Sequence, residues 1–190
     1  MSDVECRNFS KLLAYHTAPT LLGIKCASLI SLSLSEYNVD EHSRRFNSKT
    51  SGSGLTSRAL CSCKNRVLML IYNTALLDNR LSDKKVRSLL KLFGYADNLS
   101  LNECLERLSQ RIQDGGDFPH EIGLFLDYPV EDVVGFIRNK GENYKLCGCW
   151  KVYGCEETAR KTFANYDKCR KYLCNKLNEG ADIFQALKIS

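Results

Sequence analysis

The sequence predicts an α+β domain in which a small four-stranded sheet, mixed or antiparallel, packs with about six helices. In the first half, apolar and polar residues alternate or form short apolar runs, a pattern typical of strands. The second half shows helical spacing with capping residues at the helix starts. Because the chain has 190 residues, we expect a single domain over 1–190. Residues 1–80 form its sheet-forming half, and residues 81–190 form a helical half that contributes one strand.

The composition is that of a globular protein. It contains 44% hydrophobic and 26% charged residues, values that exclude wholesale disorder. The longest apolar candidate, residues 21–34, is interrupted by Lys25 and by serines, and it is shorter than the ~20 residues that span a bilayer. The N-terminus lacks the apolar core of a signal peptide. We therefore expect a soluble cytoplasmic protein without a membrane partner, whose ten cysteines are reduced.

The first half contains two predicted helices and three predicted strands. In chain order, we expect a helix at 8–15, a strand at 24–34, a polar helix at about 39–48, and strands at 55–63 and 66–73. The first helix should end near His16, because Pro19 disfavours helical geometry at Ala18. The last of these strands is apolar throughout, which is typical of a central strand.

The second half is predicted to be mainly helical. We expect helices at 82–93, 100–112 and 156–178, two short helices beginning at Pro119 and Pro129, and a strand at 147–153. Ser100 followed by Glu103 is the signature of a capping box. The helix at 156–178 has acids in its first turn and a lysine in its last, as the helix dipole favours.

The excess positive charge lies in residues 138–176, where 10 Lys or Arg residues stand against 4 Asp or Glu residues. Tryptophan and tyrosine side chains are interleaved with these charges. Such a region is typical of a solvated helix face, or of the footprint of an anionic partner. A pI of about 8.6 is below the ~9 typical of nucleic-acid-binding domains, so we do not expect a nucleic acid partner.

Two Cys-x-Cys pairs, Cys61/Cys63 and Cys147/Cys149, are the candidates for metal chemistry. Residues two apart in a strand point to the same face, so neighbouring strands would bring four thiolates together in a tetrahedral zinc site. Free cysteines in apolar strands also behave as small hydrophobic residues. We therefore predict no metal site, and we keep a zinc-stabilised interaction protein as an alternative.

Residues 120–137 form a predicted pair of short helices with the spacing of a helix-turn-helix unit. A recognition helix inserts its N-terminal residues into the major groove. Here those residues are Glu131 and Asp132, which DNA phosphates would repel. A helix-turn-helix DNA-binding regulator is therefore an alternative that the charges oppose, and a packed helical corner is the simpler interpretation.

Histidines and carboxylates supply the candidates for acid–base chemistry. His16 lies just before a Thr-Ala-Pro-Thr turn, where loop side chains often bind ligands. His120 precedes Glu121 at the start of a predicted helix. An enzyme that uses His16 or His120 as its acid–base group is a second alternative. The common nucleotide-binding and hydrolase motifs are absent from the sequence, so no catalytic residue is assigned.

Four segments carry a resemblance to a known family. They are HTAPTLLGIK (16–25), FPHEIGLFL (118–126), YPVEDV (128–133) and CWKVYG (149–154). They resemble a family of bacterial proteins of about this length, known only as a domain of unknown function. Cys155 stands where that family more usually has an acidic or polar residue, which weakens a metal site that needs this position. The resemblance implies candidate positions and no specific chemistry.

The function predicted from these observations is a binding module for an anionic small ligand or cofactor. Lys25 and Lys151 would neutralise the charge of the ligand, aromatic rings would stack on it, and a histidine would orient it. The candidate ligand-binding residues are His16, Lys25, His120, Glu121, Trp150, Lys151 and Tyr153. This hypothesis requires the early histidine segment and the late tryptophan segment to line one cavity. The sequence specifies neither the ligand or cofactor nor the oligomeric state.

Overall fold

The computed structural model describes residues 1–114 and 117–189 and confirms the α+β class. Nine helices lie within those residues: α1 (Asp3–Leu21), α2 (Val39–Lys49), α3 (Thr74–Ser82), α4 (Lys84–Leu92), α5 (Leu101–Gln113), α6 (Ile122–Phe125), α7 (Val130–Arg138), α8 (Glu156–Asn178) and α9 (Ile183–Ala186). The strands are β1 (Ala27–Ser33), β2 (Leu55–Cys63), β3 (Arg66–Asn73), β4 (Leu146–Cys147) and β5 (Lys151–Val152). No helix in the described ranges has both the length and the apolar character needed to cross a bilayer.

The main sheet is antiparallel, with strand order β1-β3-β2. Its central strand, β3, has four consecutive buried residues, 69–72. Leu70 packs into a core with α3–α7, whereas Met69 and Ile71 pack into a second core with α1, α2, α8 and α9. Because helices cover both faces of the sheet, the central strand is apolar from Val67 to Tyr72 instead of alternating.

The fourth predicted strand does not join this sheet. Residues 146–152 fold back on themselves, so that β4 and β5 pair antiparallel as a separate two-stranded ribbon. The Gly148 N–H donates to the Trp150 carbonyl at 3.1 Å, and the Lys145 N–H donates to the Val152 carbonyl at 2.9 Å. The backbone hydrogen bonds of this short segment are thus closed locally, which removes the need for a partner strand.

Helix α1 extends well beyond the predicted end near His16 and contains Pro19. A proline inside a helix has no N–H for the carbonyl four residues earlier, which here belongs to Tyr15. The Arg170 Nε of α8 donates to that carbonyl at 2.9 Å, and the guanidinium lies 4.9 Å from the centre of the Tyr15 ring. Because a distant side chain satisfies the freed carbonyl, the helix continues to Leu21.

The other helices follow their local signals closely. Helix α8 has the predicted bounds, and the Ser100–Glu103 capping box of α5 is present. The helix predicted to begin at Ser82 instead has Asp83 as its N-cap, since the Asp83 carboxylate accepts from the N–H groups of Lys85 and Val86. The preceding residues form α3, a helix that the sequence analysis did not predict.

His42 of α2 is buried against α1, with 3% of its surface exposed. Its ring stacks on Phe9, with ring centres 4.0 Å apart, and its Nε2 donates to Glu5 Oε1 at 3.0 Å. Burial lowers the pKa of the His42 imidazole below its usual 6.5, an effect that Arg45 reinforces and the nearby carboxylates of Glu5 and Glu41 oppose. The imidazole is therefore kept neutral in the folded protein to a lower pH than in the unfolded chain.

We predict that acidification destabilises the protein partly through His42. In the unfolded chain His42 takes up a proton as the pH falls through its usual 6.5, whereas the folded protein resists protonation. The stability that neutral His42 contributes is therefore complete above pH 6.5. It is lost as the pH falls from there towards the lowered pKa that His42 has in the folded protein. Melting curves at about pH 7.5 and about pH 5.5 measure this loss.

The variant His42→Phe tests the assignment. It retains the stacking on Phe9, and its melting temperature should fall less on acidification than that of the wild type. His120→Asn, which removes an exposed histidine, is the matched control. Its melting temperature should fall on acidification as much as that of the wild type. An undiminished acid response in His42→Phe would contradict the prediction.

Candidate functional site

A cavity of about 210 Å³ lies between α1, the segment before β1, α8 and the ribbon. We call it the lysine cavity. Its lining includes the side chains of His16, Lys25, Tyr128, Cys149, Tyr166 and Arg170. These residues come from both halves of the chain, so the cavity exists only in the folded protein.

The turn after α1 brings Lys25 into this cavity. The Pro19 carbonyl accepts from the N–H groups of both Ile24 and Lys25, at 2.8 and 3.1 Å. Gly23 makes the turn possible, because its φ of +71° lies in the left-handed region that favours glycine. The chain leaves the helix after Leu21 and turns here towards β1.

Lys25 is a buried cation, with 8% of its surface exposed. Its Nζ lies 5.2 Å from the centre of the Tyr128 ring and 5.6 Å from that of Tyr166, within the range of cation–π attraction. In the part of the chain that the structure describes, this Nζ has neither a hydrogen bond nor a carboxylate within ion-pair distance. Burial lowers the pKa of Lys25, and the neighbouring Cys26, Cys149 and Asp127 only partly offset that effect.

Arg170 and His16 provide the other polar groups of the lysine cavity. The Arg170 Nε is held by the Tyr15 carbonyl, and its Nη1 lies 3.4 Å from an Asp167 carboxylate oxygen. His16 is exposed and lines the solvent side of the cavity from α1. Partial burial and the neighbouring Arg170 both lower the pKa of His16. The cavity therefore gathers a lysine, an arginine and a neutral imidazole.

One wall of the lysine cavity is the ring of Tyr128, and the ring of Trp150 stacks behind it. Tyr128 and Trp150 have ring centres 5.0 Å apart and planes inclined by 27°. Trp150 also meets Phe163 of α8 edge to face, at 4.5 Å. Burial raises the pKa of Tyr128 to about 12, so its hydroxyl is neutral at physiological pH. The wall is thus uncharged and apolar where it faces the Lys25 ammonium.

The buried carboxylate of Asp132 fixes this wall. Its Oδ2 accepts from Trp150 Nε1 at 2.6 Å, and its Oδ1 accepts from the N–H groups of Tyr153 and Gly154, both at 2.7 Å. Hydrogen bonds to a charged acceptor are the stronger kind. Three of them tie the end of the ribbon to α7.

Two glycines permit the ribbon to approach its neighbours. A Cβ on Gly148 would lie 2.2 Å from the Phe163 ring, and a Cβ on Gly135 would lie 2.4 Å from the Tyr153 ring. Neither distance is sterically possible. Glycine at both positions therefore lets the ribbon pack closely on α7 and α8.

A second cavity, of about 390 Å³, lies on the other side of the Tyr128–Trp150 wall. We call it the aromatic cavity, and its lining includes Phe118, His120, Tyr128, Phe136, Trp150 and Lys151. The Lys151 Nζ donates to the Gly141 carbonyl at 2.7 Å, so its charge is already partnered. The His120 ring contacts Phe136 edge to face, at 5.1 Å.

The single cavity expected from the sequence is therefore divided in two. His16 and Lys25 line the lysine cavity, whereas His120, Trp150 and Lys151 line the aromatic cavity. The remaining two candidates, Glu121 and Tyr153, line neither.

Glu121 and Tyr153 make contacts within the protein. The Glu121 carboxylate is fully buried, where it pairs with Arg111 and lies 3.4 Å from the Tyr95 hydroxyl. The Tyr153 hydroxyl donates to the Glu142 carbonyl at 3.0 Å. These contacts give both side chains a role in packing the helical half and the ribbon.

Sequence reasoning missed Tyr128, Cys149, Tyr166 and Arg170 as lining residues of the lysine cavity. A signal for two of them was present. Tyr166 and Arg170 are four residues apart on α8 and therefore lie on one face of the helix. That face lies beside α1, whose internal proline leaves a carbonyl that needs a donor.

The structure also shows where the two Cys-x-Cys pairs and the predicted helix-turn-helix unit lie. Cys61 and Cys63 lie on β2, while Cys147 and Cys149 lie on the ribbon, so the two pairs occupy different sheets. Within residues 1–114 and 117–189, no group of three or more His, Cys, Asp or Glu side chains has a metal-binding arrangement. Asp132, at the start of the second helix of the predicted helix-turn-helix unit, faces the ribbon.

Comparison with known proteins identifies one family. A family model described as "Protein of unknown function (DUF3793)" matches residues 13–187. No curated protein and no solved structure matches the chain significantly. The matched range includes both cavities and the wall between them.

We predict that Asp132→Asn lowers the free energy of unfolding by about 2–3 kcal/mol, because a hydrogen bond to a buried charged group is lost. An amide has one acceptor oxygen, so either Trp150 Nε1 or the two backbone N–H groups must face an NH₂ group. Urea unfolding, followed by the fluorescence of Trp150, measures the change. Trp150 is the only tryptophan, so the signal comes from the wall itself.

Glu131→Gln is the matched control for Asp132→Asn. It removes the same charge from the neighbouring residue, whose side chain is exposed. We expect it to change the stability by less than about 0.5 kcal/mol. Equal stabilities of the two variants would refute the anchoring role of Asp132.

Proposed function

The chain belongs to the DUF3793 family, and on that premise we propose that it is a cytoplasmic module that binds a small anion in the lysine cavity. The observation that carries the proposal is the state of Lys25. Its side chain is buried and lines a cavity, and among the described residues its Nζ has no carboxylate within ion-pair distance. Burying an unpaired charge is unfavourable, and an anion bound in the cavity would offset that penalty.

The charges around the lysine cavity support an anionic ligand. Lys25 and Arg170 line it together. Of the nearby carboxylates, Asp127 lies 3.5 Å from Arg80, and Asp167 contacts two cations of its own helix, one of which is Arg170. Both carboxylates are thus already paired with cations, which leaves Lys25 available to a ligand.

The size of the lysine cavity limits the class of ligand. Drug-sized ligands occupy pockets of about 300–1,000 Å³, and this cavity has about 210 Å³. At about 30 Å³ per water molecule, that is the volume of about seven waters. A phosphate ion or a carboxylic acid of a few carbon atoms fits, whereas a dinucleotide or a flavin does not.

Two further observations bear on the proposal. Lys151, a sequence candidate for charge neutralisation, already donates to the Gly141 carbonyl, which favours the lysine cavity over the aromatic cavity as the anion site.

All ten cysteines are free thiols. Free thiols are typical of reducing compartments, which supports the cytoplasmic location.

We predict that phosphate, acetate or lactate raises the melting temperature when compared with chloride at equal ionic strength. A ligand that binds only the folded state at about 100 times its dissociation constant should raise the melting temperature of a chain of this size by about 5–10 °C. Lys25→Met should abolish the shift, because it removes the buried cation and keeps the length of the side chain. A thermal-shift titration with each anion is the measurement.

Lys168→Met is the matched control. It removes the same charge from an exposed position of α8. We expect it to respond to the anions as the wild type does. If Lys25→Met and Lys168→Met respond equally, or if chloride stabilises as well as the other anions, the proposed function is refuted.

A further inference from the structure

We propose that Lys25 is a nucleophile that forms an imine with a small 2-oxo acid bound in the lysine cavity. This inference rests on the proposed function, because the carboxylate of the oxo acid is the anion of that site. It adds a reaction to the binding, and it names the substrate class.

The surroundings of Lys25 are those of a reactive amine. Its Nζ faces a cavity that a ligand can enter, and the rings of Tyr128 and Tyr166 flank it at 5.2 and 5.6 Å. No carboxylate of the described residues lies close enough to hold it as an ammonium. Burial lowers the pKa of Lys25, and each unit of lowering raises the fraction of neutral amine about tenfold.

The lysines that have a defined partner differ from Lys25. Lys145 and Lys151 donate to backbone carbonyls, at 2.9 and 2.7 Å. Lys161 and Lys171 of α8 pair with carboxylates one helical turn away, at 2.7 and 2.8 Å. Each of these amines is thus engaged in a contact within the protein, whereas the Lys25 Nζ has no such partner among the described residues.

The other side chains of the lysine cavity suit a carboxylate. Arg170 lines the same cavity, and a hydrogen bond from a guanidinium to a carboxylate is of the strong, charge-assisted kind. Its Nη2 has no hydrogen-bond partner within the described ranges. The cavity volume of about 210 Å³ matches an acid of a few carbon atoms, whose carbonyl group lies one bond from the carboxylate.

The reaction conserves atoms and electrons without an oxidant or a reductant. The Nζ lone pair forms a bond to the carbonyl carbon, and the π electrons of the C=O bond move to its oxygen. A proton from the nitrogen and one from solvent then convert this oxygen into water. The C–O bond breaks, water departs, and the C=N bond forms. His16, whose imidazole lines the cavity, is placed to carry a proton between the nitrogen and solvent.

Reductive trapping with pyruvate tests the inference. Cyanoborohydride reduces an imine to a stable secondary amine, so each labelled chain gains the mass of pyruvic acid less one oxygen atom. We expect the wild-type protein to gain one such adduct, which peptide mapping locates at Lys25. Its rate of labelling should exceed that of every other lysine, because burial lowers the pKa of Lys25 and so raises its fraction of neutral amine.

Variants and a second ligand separate binding from chemistry. Lys25→Arg keeps the charge but lacks a nucleophilic amine, and Lys25→Met lacks both, so neither should form the adduct. Lys168→Met should form it as the wild type does. Lactate, which has a hydroxyl group in place of the carbonyl, should slow the labelling by competition and form no adduct.

The outcomes distinguish the two proposals. Stabilisation by pyruvate and lactate without an adduct at Lys25 would overturn the imine inference and leave anion binding in place. Labelling confined to exposed lysines, or equal labelling in Lys25→Met, would also overturn it. No stabilisation by any anion would refute the proposed function, and the imine inference with it.

Discussion

The buried carboxylate of Asp132 is the interaction on which the candidate site depends. Its three hydrogen bonds hold the indole of Trp150 and the end of the ribbon against α7. Trp150 in turn stacks on Tyr128, and this ring lies beside the Lys25 ammonium. A single negative charge, which would be unfavourable in the core if it were unpaired, thus positions the wall that encloses the buried positive charge.

Arg170 links the fold to the site in a second way. It donates to the Tyr15 carbonyl that Pro19 leaves without a partner, and it also lines the lysine cavity. The carbonyl of the same proline holds the turn that leads to Lys25. The irregular end of one helix therefore brings two cations from opposite ends of the chain into one cavity.

Local sequence patterns were sufficient to predict much of the fold. Where the structure differs from those predictions, long-range contacts are the main reason. Helix α8 and the capping box of α5 follow from nearby residues. The length of α1 could not be predicted, because the donor that rescues its proline lies 155 residues away. Glu121, a sequence candidate for ligand binding, pairs with Arg111 of α5, a contact that no local pattern indicates. His16 and Lys25, which line the lysine cavity, lie nine residues apart in the sequence, whereas Arg170 joins them only through packing.

Tyr128 contributes to both cavities, and this position has a thermodynamic consequence. A molecule that shifts this ring while occupying one cavity also changes the shape of the other. Binding in the lysine cavity and binding in the aromatic cavity are then coupled. The coupling free energy is the same whichever molecule binds first. A shared aromatic partition of this kind allows an apolar effector on one side to tune the affinity for an acid on the other.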